Sequence, residues 1–425
     1  MNRRHFLMST TAAAAASRPS MLHSANDTIR VGVVGIRSRG GDHIKGFANL
    51  PNVEVAALCD IDQNVLESRV KDVEKLGKRR PATYVDVRKL LEDKSIDAVT
   101  IAAPNHWHTL MTIWACQAGK DVYVEKPCSH NIFESRQIVA AAGKYQRIVQ
   151  QGSQSRSSTA LREAMQQMHG GLLGEVYMAR GLCFKPRNTI GKTPVEPVPP
   201  GVDYDLWTGP APLRPFTRNR FHYNWHWFWD TGNGDFGNQG IHEVDKCRWG
   251  LGVTYPTRVS ATGGKVMFDD DQETPNVLMV NYEFEAGGKK KLMVFEVRHW
   301  HTNSEGGSKV GNLFYGEKGY MVIDWYERAA TFMGPKEEPG PSWRAGGDHY
   351  ANFIQAMRSR KPSDLTCPIE EGAISCTLMH LGNISYRLGR SLRFDARTMS
   401  CPGDEEANRM FTRDYRRPFV VPQQV

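Results

Sequence analysis

The sequence predicts an α/β protein that starts with a doubly wound parallel sheet and continues into an α+β region with a large, mostly antiparallel open sheet. Strand-like apolar runs alternate with helical patterns from residue 29 to about 152, which is typical of parallel βαβ units. Later apolar runs alternate with period two between glycine-rich turns. The length of 425 residues suits two or three domains of about 150 residues.

Residues 1–25 are predicted to be a removable export signal. They combine a basic start, the alanine run 12–16 and no acidic residue, as signal peptides do. The motif RRHFL at residues 3–7 resembles the twin-arginine signal, which export machinery reads on folded proteins. Asn2 and the lack of a clean Ala-x-Ala cleavage site depart from that pattern. The sequence favours a periplasmic or otherwise exported protein, with a plain cytoplasmic tail as the alternative.

Composition excludes several classes of protein. The net charge of +8 falls to +5 without Arg3, Arg4 and Arg18, and no Lys/Arg block of the nucleic-acid type remains. No apolar stretch reaches the length of about 18 residues that a membrane span requires. The eight cysteines form no CxxC pair or Cys/His cluster, so no metal site is predicted. A disulfide among the later cysteines stays open.

The alternating region supplies five predicted strands and the helices between them. The strands cover 29–35, 53–59, 97–102, 121–125 and 147–150, and helices begin near residues 40, 63, 108 and 131. The first strand is a β-branched run that ends in glycine, as expected for a buried strand. We therefore predict a nucleotide-binding domain of the Rossmann type over 29–152.

The first turn of this region carries a glycine-rich motif. It reads Gly35-Ile-Arg37-Ser38-Arg39-Gly40, so a G-x-G-x-x-G pattern has Arg37 at its second glycine. Such turns bring backbone N–H groups and the positive end of a helix to a pyrophosphate. Asp60 follows Gly40 by 20 residues and can accept the ribose hydroxyls of NAD, whereas it would repel the 2′-phosphate of NADP. NAD is therefore the predicted cofactor, and Arg37 either hinders its approach or holds a phosphate.

Two later segments point to a family. Ala102-Ala-Pro104-Asn105-His106-Trp-His108 follows the predicted strand 97–102, and Val124-Glu125-Lys126-Pro127 follows the predicted strand 121–125. With the glycine turn and Asp60, they resemble the Gfo/Idh/MocA oxidoreductases. The resemblance implies an NAD(P)-dependent enzyme that acts on a sugar, a cis bond before Pro127 and a homo-oligomer.

The resemblance also assigns roles to these residues. Lys126 is expected to touch both cofactor and substrate, because a lysine there can assist proton loss from a hydroxyl as hydride departs. The other residues expected to bind the cofactor are Pro104, Asn105, His108, Glu125 and Pro127. Lys126 has a surface lysine as its alternative reading, and His106 and His108 could simply cap the helix that starts beside them.

Residues 153–425 are predicted to form the α+β domain for substrate and subunit contact. Helices are predicted at 154–169, 347–358 and 370–388, and strands at 174–180, 276–285, 291–299 and 311–324. Eleven of the 46 residues in 204–249 are aromatic, and flat rings beside polar groups suit sugars. Trp225, His226 and Trp227 are the predicted substrate contacts. A densely packed core or a dimer interface is the alternative.

The aromatic segment leads into Asn238-Gln-Gly240-Ile-His242-Glu-Val-Asp245. This resembles the family segment D-x-G-x-H-x-x-D, in which the histidine faces nicotinamide and substrate. His242 matches that catalytic histidine, and an ordinary pKa of about 6.5 suits proton exchange. Asn238 replaces an aspartate, so it can bind a hydroxyl but cannot take its proton. Asn238 and Asp245 complete the predicted catalytic set, on one helix face if the helix has begun.

Three functions remain open at this point. The first is hydride transfer between a sugar ring carbon and NAD. The second is a redox-neutral glycosidase, or an enzyme that forms a 3-keto sugar, with a tightly bound cofactor, which export would favour. The third is a sensor that binds nucleotide or sugar without chemistry; Lys126 and His242 argue against it.

Overall fold

A computed structural model of the chain describes residues 28–425. The predicted signal at 1–25 therefore lies outside the described residues. The elements up to residue 169 are β1 (Ile29–Val34), α1 (Arg39–Ala48), β2 (Val53–Cys59), α2 (Gln63–Lys75), β3 (Ala82–Tyr84), α3 (Val87–Glu92), β4 (Ala98–Ile101), α4 (Asn105–Gln117), β5 (Asp121–Val124), α5 (Ile132–Lys144), β6 (Val149–Gln151) and α6 (Thr159–His169).

The later elements form a second sheet and its helices. They are β7 (Val176–Cys183), α7 (Tyr204–Thr208), α8 (Ile241–Leu251), β8 (Arg258–Gly264), β9 (Val277–Ala286), β10 (Lys289–Arg298), β11 (Val310–Gly316), β12 (Gly319–Asp324), β13 (Arg328–Met333), β14 (Glu338–Arg344), α9 (His349–Ser359), α10 (Ile369–Leu388), β15 (Leu392–Arg393) and α11 (Glu405–Arg409).

The first sheet has six strands in the order β3-β2-β1-β4-β5-β6, and every neighbouring pair is parallel. Strand order reverses between β1 and β4, and ligands of open α/β sheets bind at the carboxyl ends of the strands at such a point. The predicted doubly wound sheet is confirmed. The short β3 and helix α3 were not assigned from the sequence, because few apolar residues mark them.

The second sheet has nine strands in the order β14-β13-β12-β11-β7-β10-β9-β8-β15. Only the β7–β10 pair is parallel, so the predicted open, mostly antiparallel sheet is also confirmed. The start of α8 lies close against it, because a Cβ on Gly240 would come within 2.2 Å of the Phe295 ring.

Helix α9 returns to the first sheet although it follows the second in the chain. Phe353 is fully buried, with its ring centroid 6.3 Å from that of Phe47 and 5.9 Å from that of Tyr123. Those two residues belong to α1 and β5. One hydrophobic core of the nucleotide-binding sheet is thus completed by residues far beyond position 152.

The helix predicted over 154–169 is divided. Residues Gln154–Ser157 form a 3₁₀ turn, and α6 begins only at Thr159. The Ser158 side chain accepts a hydrogen bond from the Leu161 N–H and caps α6, which ends the preceding turn. The sequence did not predict this cap, because the apolar residues of 154–169 suggest one continuous helix across Ser158.

No helix between residues 28 and 425 combines the length and apolar character needed to cross a bilayer. All eight cysteines lie in this range and are free and buried. The Sγ atoms of Cys128 and Cys376 lie 3.7 Å apart, which is contact distance for thiols and not a disulfide bond.

Candidate active site

A cavity of about 300 Å³ opens at the point where the first sheet reverses its strand order. Of the residues predicted to form the site, it is lined by Gly35, Arg37, Ser38, Arg39, Asp60, Pro104, Asn105, His108, Glu125, Lys126, Trp225, His226 and Asn238. Gly40, Pro127, Trp227, His242 and Asp245 are predicted site residues that do not line it. The nucleotide motifs and part of the aromatic segment thus meet at one cavity.

The glycine turn brings β1 and α1 into close contact. Gly35 has φ +75°, a left-handed conformation that favours glycine. A Cβ on Gly40 would come within 2.1 Å of the Gly35 carbonyl oxygen. No side chain caps α1 at Ser38, so the N–H groups of its first turn are available to an anion. This cradle fits the pyrophosphate of a dinucleotide.

Arg69 of α2 supports the same turn from outside. Its guanidinium donates to the carbonyl oxygens of Ile36 and Arg37 and to the carboxylate of Asp72. Because both carbonyls are occupied, the turn is held in one conformation. Arg69 had no motif to mark it in the sequence.

Asp60 ends β2 at the wall of the cavity. Its carboxylate accepts hydrogen bonds from the backbone N–H of Ile36 at 2.8 Å and of Asp62 at 3.1 Å. Burial raises the pKa of Asp60 to about 6 despite these donors. A carboxylate that is fixed by its own loop and largely shielded from water is suited to accept ribose hydroxyls.

The side chain of Arg37 is exposed and adds positive charge to the cavity edge. The charge reaches His222, because burial and then Arg37 lower the pKa of that histidine to about 4. His222 in turn lies 3.0 Å from the carboxylate of Asp62. The arginine at the second glycine position is therefore an exposed cation in the cavity lining.

Glu125 is held by two side chains of α1, the cation Arg39 and the buried imidazole of His43. Its Oε1 lies 2.8 Å from Arg39 Nε and 3.1 Å from His43 Nε2, and Gln154 donates to the same oxygen. Burial alone would raise the pKa of Glu125, but Arg39 and His43 hold it well below its usual value. Glu125 is thus a fixed anion directly before Lys126.

The segment after β4 is fastened to the segment after β5 by a histidine. The ring nitrogens of His108 lie 2.7 Å from the carbonyl oxygens of Ala103 and Pro127. The Lys126–Pro127 bond is cis, as the family resemblance implies. His108 therefore positions the lysine loop through the backbone, and Asn105 continues the contact by donating to Asn233 at 3.1 Å.

Lys126 lies between the two sheets. Its Nζ donates to the backbone carbonyl oxygen of Asn238 at 2.8 Å. Burial lowers the pKa of Lys126 from its ordinary value, although Glu125 opposes this effect. A lysine with a lowered pKa loses its proton more readily near neutral pH, which is the property that proton exchange requires.

Asn238 belongs to a π-helical turn over Phe236–Gly240, directly before α8. Its Nδ2 donates to the carboxylate of Asp235 at 3.0 Å. Asp235 is buried and receives both Arg187 at 2.8 Å and His299 at 2.9 Å. The side chain of Asn238 is therefore anchored by Asp235, while its backbone carbonyl oxygen accepts the hydrogen bond from Lys126.

His242 lies in the first turn of α8, beneath the residues that line the cavity. Its ring packs against Tyr326 with centroids 5.0 Å apart. Burial, and then the charge of Lys126, holds the pKa of His242 well below its ordinary value, so the imidazole is neutral. Its Nδ1 is buried and has no hydrogen-bond partner in residues 28–425. An unpartnered polar atom beside Lys126 is suited to a ligand group or water.

Asp245 does not share the surroundings of Asn238. Because α8 begins at Ile241 after the π-helical turn, positions 238 and 245 make different contacts. Both Asp245 oxygens accept from Arg156, at 2.8 and 2.9 Å, and one also accepts from Ser375. The structure thus places Asp245 in a buried ion pair away from the cavity lining, and its catalytic role stays a prediction.

The aromatic segment is divided between the cavity and the core. Trp225 and His226 line the cavity with stacked rings 3.6 Å apart, and the hydroxyl of Tyr223 lies 3.4 Å from Asn238 Nδ2. Trp227 is buried, with His299 against its ring at 5.6 Å. Trp227 is therefore not among the residues that line the cavity, and its contact with substrate stays a prediction.

Sequence reasoning missed the residues that hold this site together from a distance. The supporting groups are Arg69, Arg156, Arg187, Tyr223, His299 and Tyr326. Asp235 stands three residues before Asn238, and that proximity was the one available signal. The six supporting groups lie in helix α2, in the 3₁₀ turn before α6 and in loops, where no sequence motif marks them.

Family models match both parts of the chain. The model described as oxidoreductase family, NAD-binding Rossmann fold, matches residues 29–153. The model described as oxidoreductase family, C-terminal alpha/beta domain, matches residues 176–421.

Curated relatives are similar over shorter stretches. A glycosyl hydrolase family 109 protein of Shewanella pealeana is 33% identical over 173 residues, 35% of this chain and 38% of the relative. An alpha-N-acetylgalactosaminidase of Shewanella oneidensis is 34% identical over 125 residues, 28% of this chain and 27% of the relative. The chain therefore spans well under half the length of these relatives.

Solved structures share the fold over most of the chain. A WlbA dehydrogenase of Bordetella pertussis, in complex with NADH and UDP-GlcNAcA, covers 87% of this chain and 98% of its own, with TM-score 0.65 and 20% identity. An aldose–aldose oxidoreductase of Caulobacter crescentus, complexed with glycerol, covers 86% and 100%, with TM-score 0.66 and 19% identity.

Proposed function

The chain belongs to the Gfo/Idh/MocA oxidoreductase family, and from that premise we propose that it is an exported, NAD-dependent enzyme acting on a sugar or sugar derivative. Hydride would pass between a ring carbon and the nicotinamide. The observation that carries this proposal is one cavity lined by Asp60 and the glycine turn as well as by Lys126, Asn238 and Trp225. Cofactor and substrate groups are thus in reach of each other.

The cofactor supplies hydride transfer chemistry when it is bound. The N–H groups of α1 and the charge of Arg37 would hold its phosphates, and Asp60 would hold its ribose. We propose NAD over NADP because Asp60 presents a carboxylate where a 2′-phosphate would lie. Pro104 and Asn105 line the same cavity and would bound the nicotinamide end.

Lys126 is proposed to exchange the proton of the reacting hydroxyl. Its lowered pKa makes the neutral amine accessible, and the Asn238 carbonyl fixes its Nζ. The neutral imidazole of His242 is the second candidate for that proton, because its Nδ1 has no partner in the described residues. Asn238 would bind a neighbouring hydroxyl without exchanging its proton.

The sugar would lie against Trp225, His226 and Tyr223. Flat rings and adjacent polar atoms match the faces and hydroxyls of a sugar. Two solved structures of this fold are named for sugar chemistry, one as an aldose–aldose oxidoreductase and one in complex with UDP-GlcNAcA. Their names support the substrate class, and they do not choose among sugars.

A redox-neutral glycosidase is the second candidate. Relatives named glycosyl hydrolase family 109 protein and alpha-N-acetylgalactosaminidase favour it. In such an enzyme the cofactor is restored within each cycle, so no external NAD pool is required. That property suits a protein whose first residues resemble a twin-arginine signal.

One assay separates the two candidates. The purified mature chain is incubated with nitrophenyl glycosides, including the N-acetylgalactosaminide, and separately with free sugars. Nitrophenol release without added NAD supports the glycosidase, whereas reduction of added NAD by a free sugar supports the dehydrogenase. If denaturation releases bound cofactor but no substrate is turned over, the result supports the third function, a sensor that binds without chemistry.

We further propose a homo-oligomer, for which the second sheet offers a surface. Tyr177, Met279 and Leu292 are exposed on its adjacent central strands, and exposed apolar patches mark contact surfaces. Light scattering of the purified chain measures the mass directly, and a monomer at all concentrations would contradict the proposal.

A further inference from the structure

A second cavity, of about 610 Å³, lies outside the proposed active site. The C-terminal end of α10, the segment 229–233 and residues 406–414 form its walls. Asn233 connects it to the first cavity, because this lining residue accepts a hydrogen bond from Asn105. Nothing in the hydride-transfer proposal uses this cavity.

Three arginines line this second cavity without a carboxylate partner. Arg387, Arg409 and Arg413 make no ion pair in the part of the chain that the structure describes, 28–425. Two of the lining carboxylates are already paired elsewhere, Asp230 with Arg214 and Glu406 with Arg390. Asp414 is the third lining carboxylate and makes no ion pair in residues 28–425, so three unpaired arginines face one unpaired carboxylate in the lining. The carboxylates of Glu273 and Glu134 act on Arg387 and Arg413 from nearby without forming an ion pair.

Two of the three arginine side chains are held in place by other groups. The Arg387 guanidinium lies 5.0 Å above the Trp229 ring, a geometry that orients it without neutralising it. Arg413 donates to the backbone oxygens of Asp230 and Pro210 and to His130 Nδ1. Burial lowers the pKa of Arg387 and of Arg413, although nearby carboxylates oppose this effect, so both guanidinium groups are partly removed from water.

The floor of the cavity contains buried polar atoms without partners. Asn383 is 5% exposed, and its Nδ2 donates to the Asn233 carbonyl, but its Oδ1 accepts no hydrogen bond in the described range. His130 is 8% exposed; its Nε2 has the Gly232 backbone nearby but no hydrogen bond of normal geometry. Such atoms are costly unless a ligand or water satisfies them.

These groups specify complementary chemistry. Arginines bind carboxylate or phosphate oxygens. Because His130 Nδ1 accepts from Arg413, the ring proton of a neutral imidazole is at Nε2. That N–H can donate to an oxygen of a ligand. The Asn383 Oδ1 atom is an acceptor and can receive a hydrogen bond from a hydroxyl group. We propose that the second cavity binds a small hydroxylated organic anion, a sugar acid or a phosphorylated sugar.

Isothermal titration of the cofactor-bound protein tests the proposal. Gluconate, glucose 6-phosphate, inorganic phosphate and glucose are the probes. We expect gluconate or glucose 6-phosphate to bind, and uncharged glucose to bind at least about tenfold more weakly, because a charge-assisted contact has that effect. Preference for one anion identifies carboxylate or phosphate as the recognised group.

Variants locate the binding in the molecule. Arg387→Gln removes a guanidinium that makes no hydrogen bond or ion pair in residues 28–425, so the fold should be retained, and it should weaken binding about tenfold or more. Asn383→Ala should weaken the hydroxylated anions and leave inorganic phosphate unchanged. Two control variants should leave the binding of every probe unchanged. The first is Arg79→Gln, at an exposed arginine between α2 and β3. The second is Lys126→Arg, in the first cavity.

Four results would overturn the proposal. They are the absence of binding by all charged probes at millimolar concentration, equal weakening by Arg79→Gln, weakening by Lys126→Arg, and unchanged binding in Arg387→Gln. Binding of anionic vesicles or RNA in place of the small anions would equally reject it. Because every measurement is a binding isotherm, the outcome does not depend on which reaction the first cavity catalyses.

Discussion

The lysine that follows β5 is a partly buried functional group with charged and polar groups on two sides. Lys126 has an anion before it in Glu125 and an acceptor opposite it in the Asn238 carbonyl. Burial removes water from its ammonium, and its pKa falls from the ordinary value. A group in these surroundings can exchange a proton and remain fixed in one position.

Replacing Lys126 by arginine should separate proton exchange from charge. Arginine keeps a cation in place but does not lose its proton at accessible pH. Turnover should fall by about 100- to 10,000-fold, the usual contribution of general acid–base catalysis, while bound cofactor is retained. His242→Ala should show a loss in the same direction. Steady-state kinetics measures both, with the exposed Lys78→Arg as control; a Lys126→Arg enzyme with full activity would reject the assignment.

Asp60 should make cofactor affinity depend on pH. Its pKa is raised to about 6 by burial, so the carboxylate becomes protonated as pH falls through that value and loses its charge toward the ribose. NAD affinity of the cofactor-free protein should therefore weaken below about pH 6 and reach its full value above it. Titration with NADH fluorescence between pH 5 and 8 measures the change.

The same residue should govern the choice between cofactors. Asp60→Asn should remove the pH dependence and weaken NAD about tenfold, as expected for loss of a charge-assisted hydrogen bond. It should also reduce the discrimination against NADP. A variant that keeps both the pH profile and the NAD preference would assign ribose binding to another group.

Residues at the ends of parallel strands were predictable, because a strand end has a fixed place in this fold. Gly35, Asp60 and Lys126 each follow a strand of the first sheet, and all three line the cavity. The contacts of Asp235 with Arg187 and His299 join residues 48 and 64 positions apart. No local pattern encodes such distances, so the anchor beneath Asn238 required the structure.

The π-helical turn before α8 connects two functional elements. Phe236–Gly240 offers its Asn238 carbonyl to Lys126, and Asp235 fixes the turn from its first end. π-Helical turns are uncommon and frequent at functional sites. Periodicity predicted an ordinary helix face here, because apolar spacing does not report a change in winding.

Asp235→Asn should destabilise this turn. Arg187 and His299 would lose their carboxylate in a buried position, which costs about 3–5 kcal/mol when one partner of a buried pair is removed. Urea unfolding measures the free energy of unfolding, and turnover should fall with it because Asn238 loses its anchor. Asp269→Asn, which removes an exposed ion pair with Lys192, should leave the free energy of unfolding nearly unchanged, because exposed ion pairs contribute little. Equal effects of the two variants would contradict the anchoring role.

Gly40→Ala should disrupt the junction of β1 and α1. The new Cβ would stand 2.1 Å from the Gly35 carbonyl oxygen, so the turn must open and the pyrophosphate cradle with it. We expect a loss of stability of about 1–3 kcal/mol, as for other overpacked sites, and loss of cofactor binding. Gly143→Ala in α5, where no atom lies within 4 Å of the new Cβ, should be neutral or stabilising by up to about 1 kcal/mol. Differential scanning calorimetry and cofactor content measure both variants.

For the whole molecule, α9 makes the nucleotide-binding sheet depend on the C-terminal part of the chain. Phe353 fills the space between Phe47 and Tyr123, and an ion pair joins Arg360, just after α9, to Asp121 of β5. The predicted domain boundary lies near residue 152. The hydrophobic core of the first sheet nevertheless contains residues from both sides of that boundary.

Phe353→Ala should therefore destabilise the cofactor half of the molecule. Removing a fully buried phenylalanine costs about 3–5 kcal/mol, and cofactor release should accelerate although Phe353 does not line the cavity. Tyr177→Ala, at a residue 50% exposed on the second sheet, should change the free energy of unfolding by about 0.5 kcal/mol or less. Unfolding monitored together with cofactor release tests the pair, and a fully stable Phe353→Ala protein would refute the role of α9.

The late position of α9 also affects when this protein can fold during its synthesis. The strands of the first sheet have all left the ribosome once residue 153 is clear, but the segment that covers their core, up to Leu365, lies roughly 200 residues further along the message. At about 5–20 residues per second, that interval lasts on the order of ten to forty seconds. During this time the rings of Phe47 and Tyr123 lack their final neighbour, so the nascent chain presents an apolar surface that chaperones recognise until translation is nearly complete.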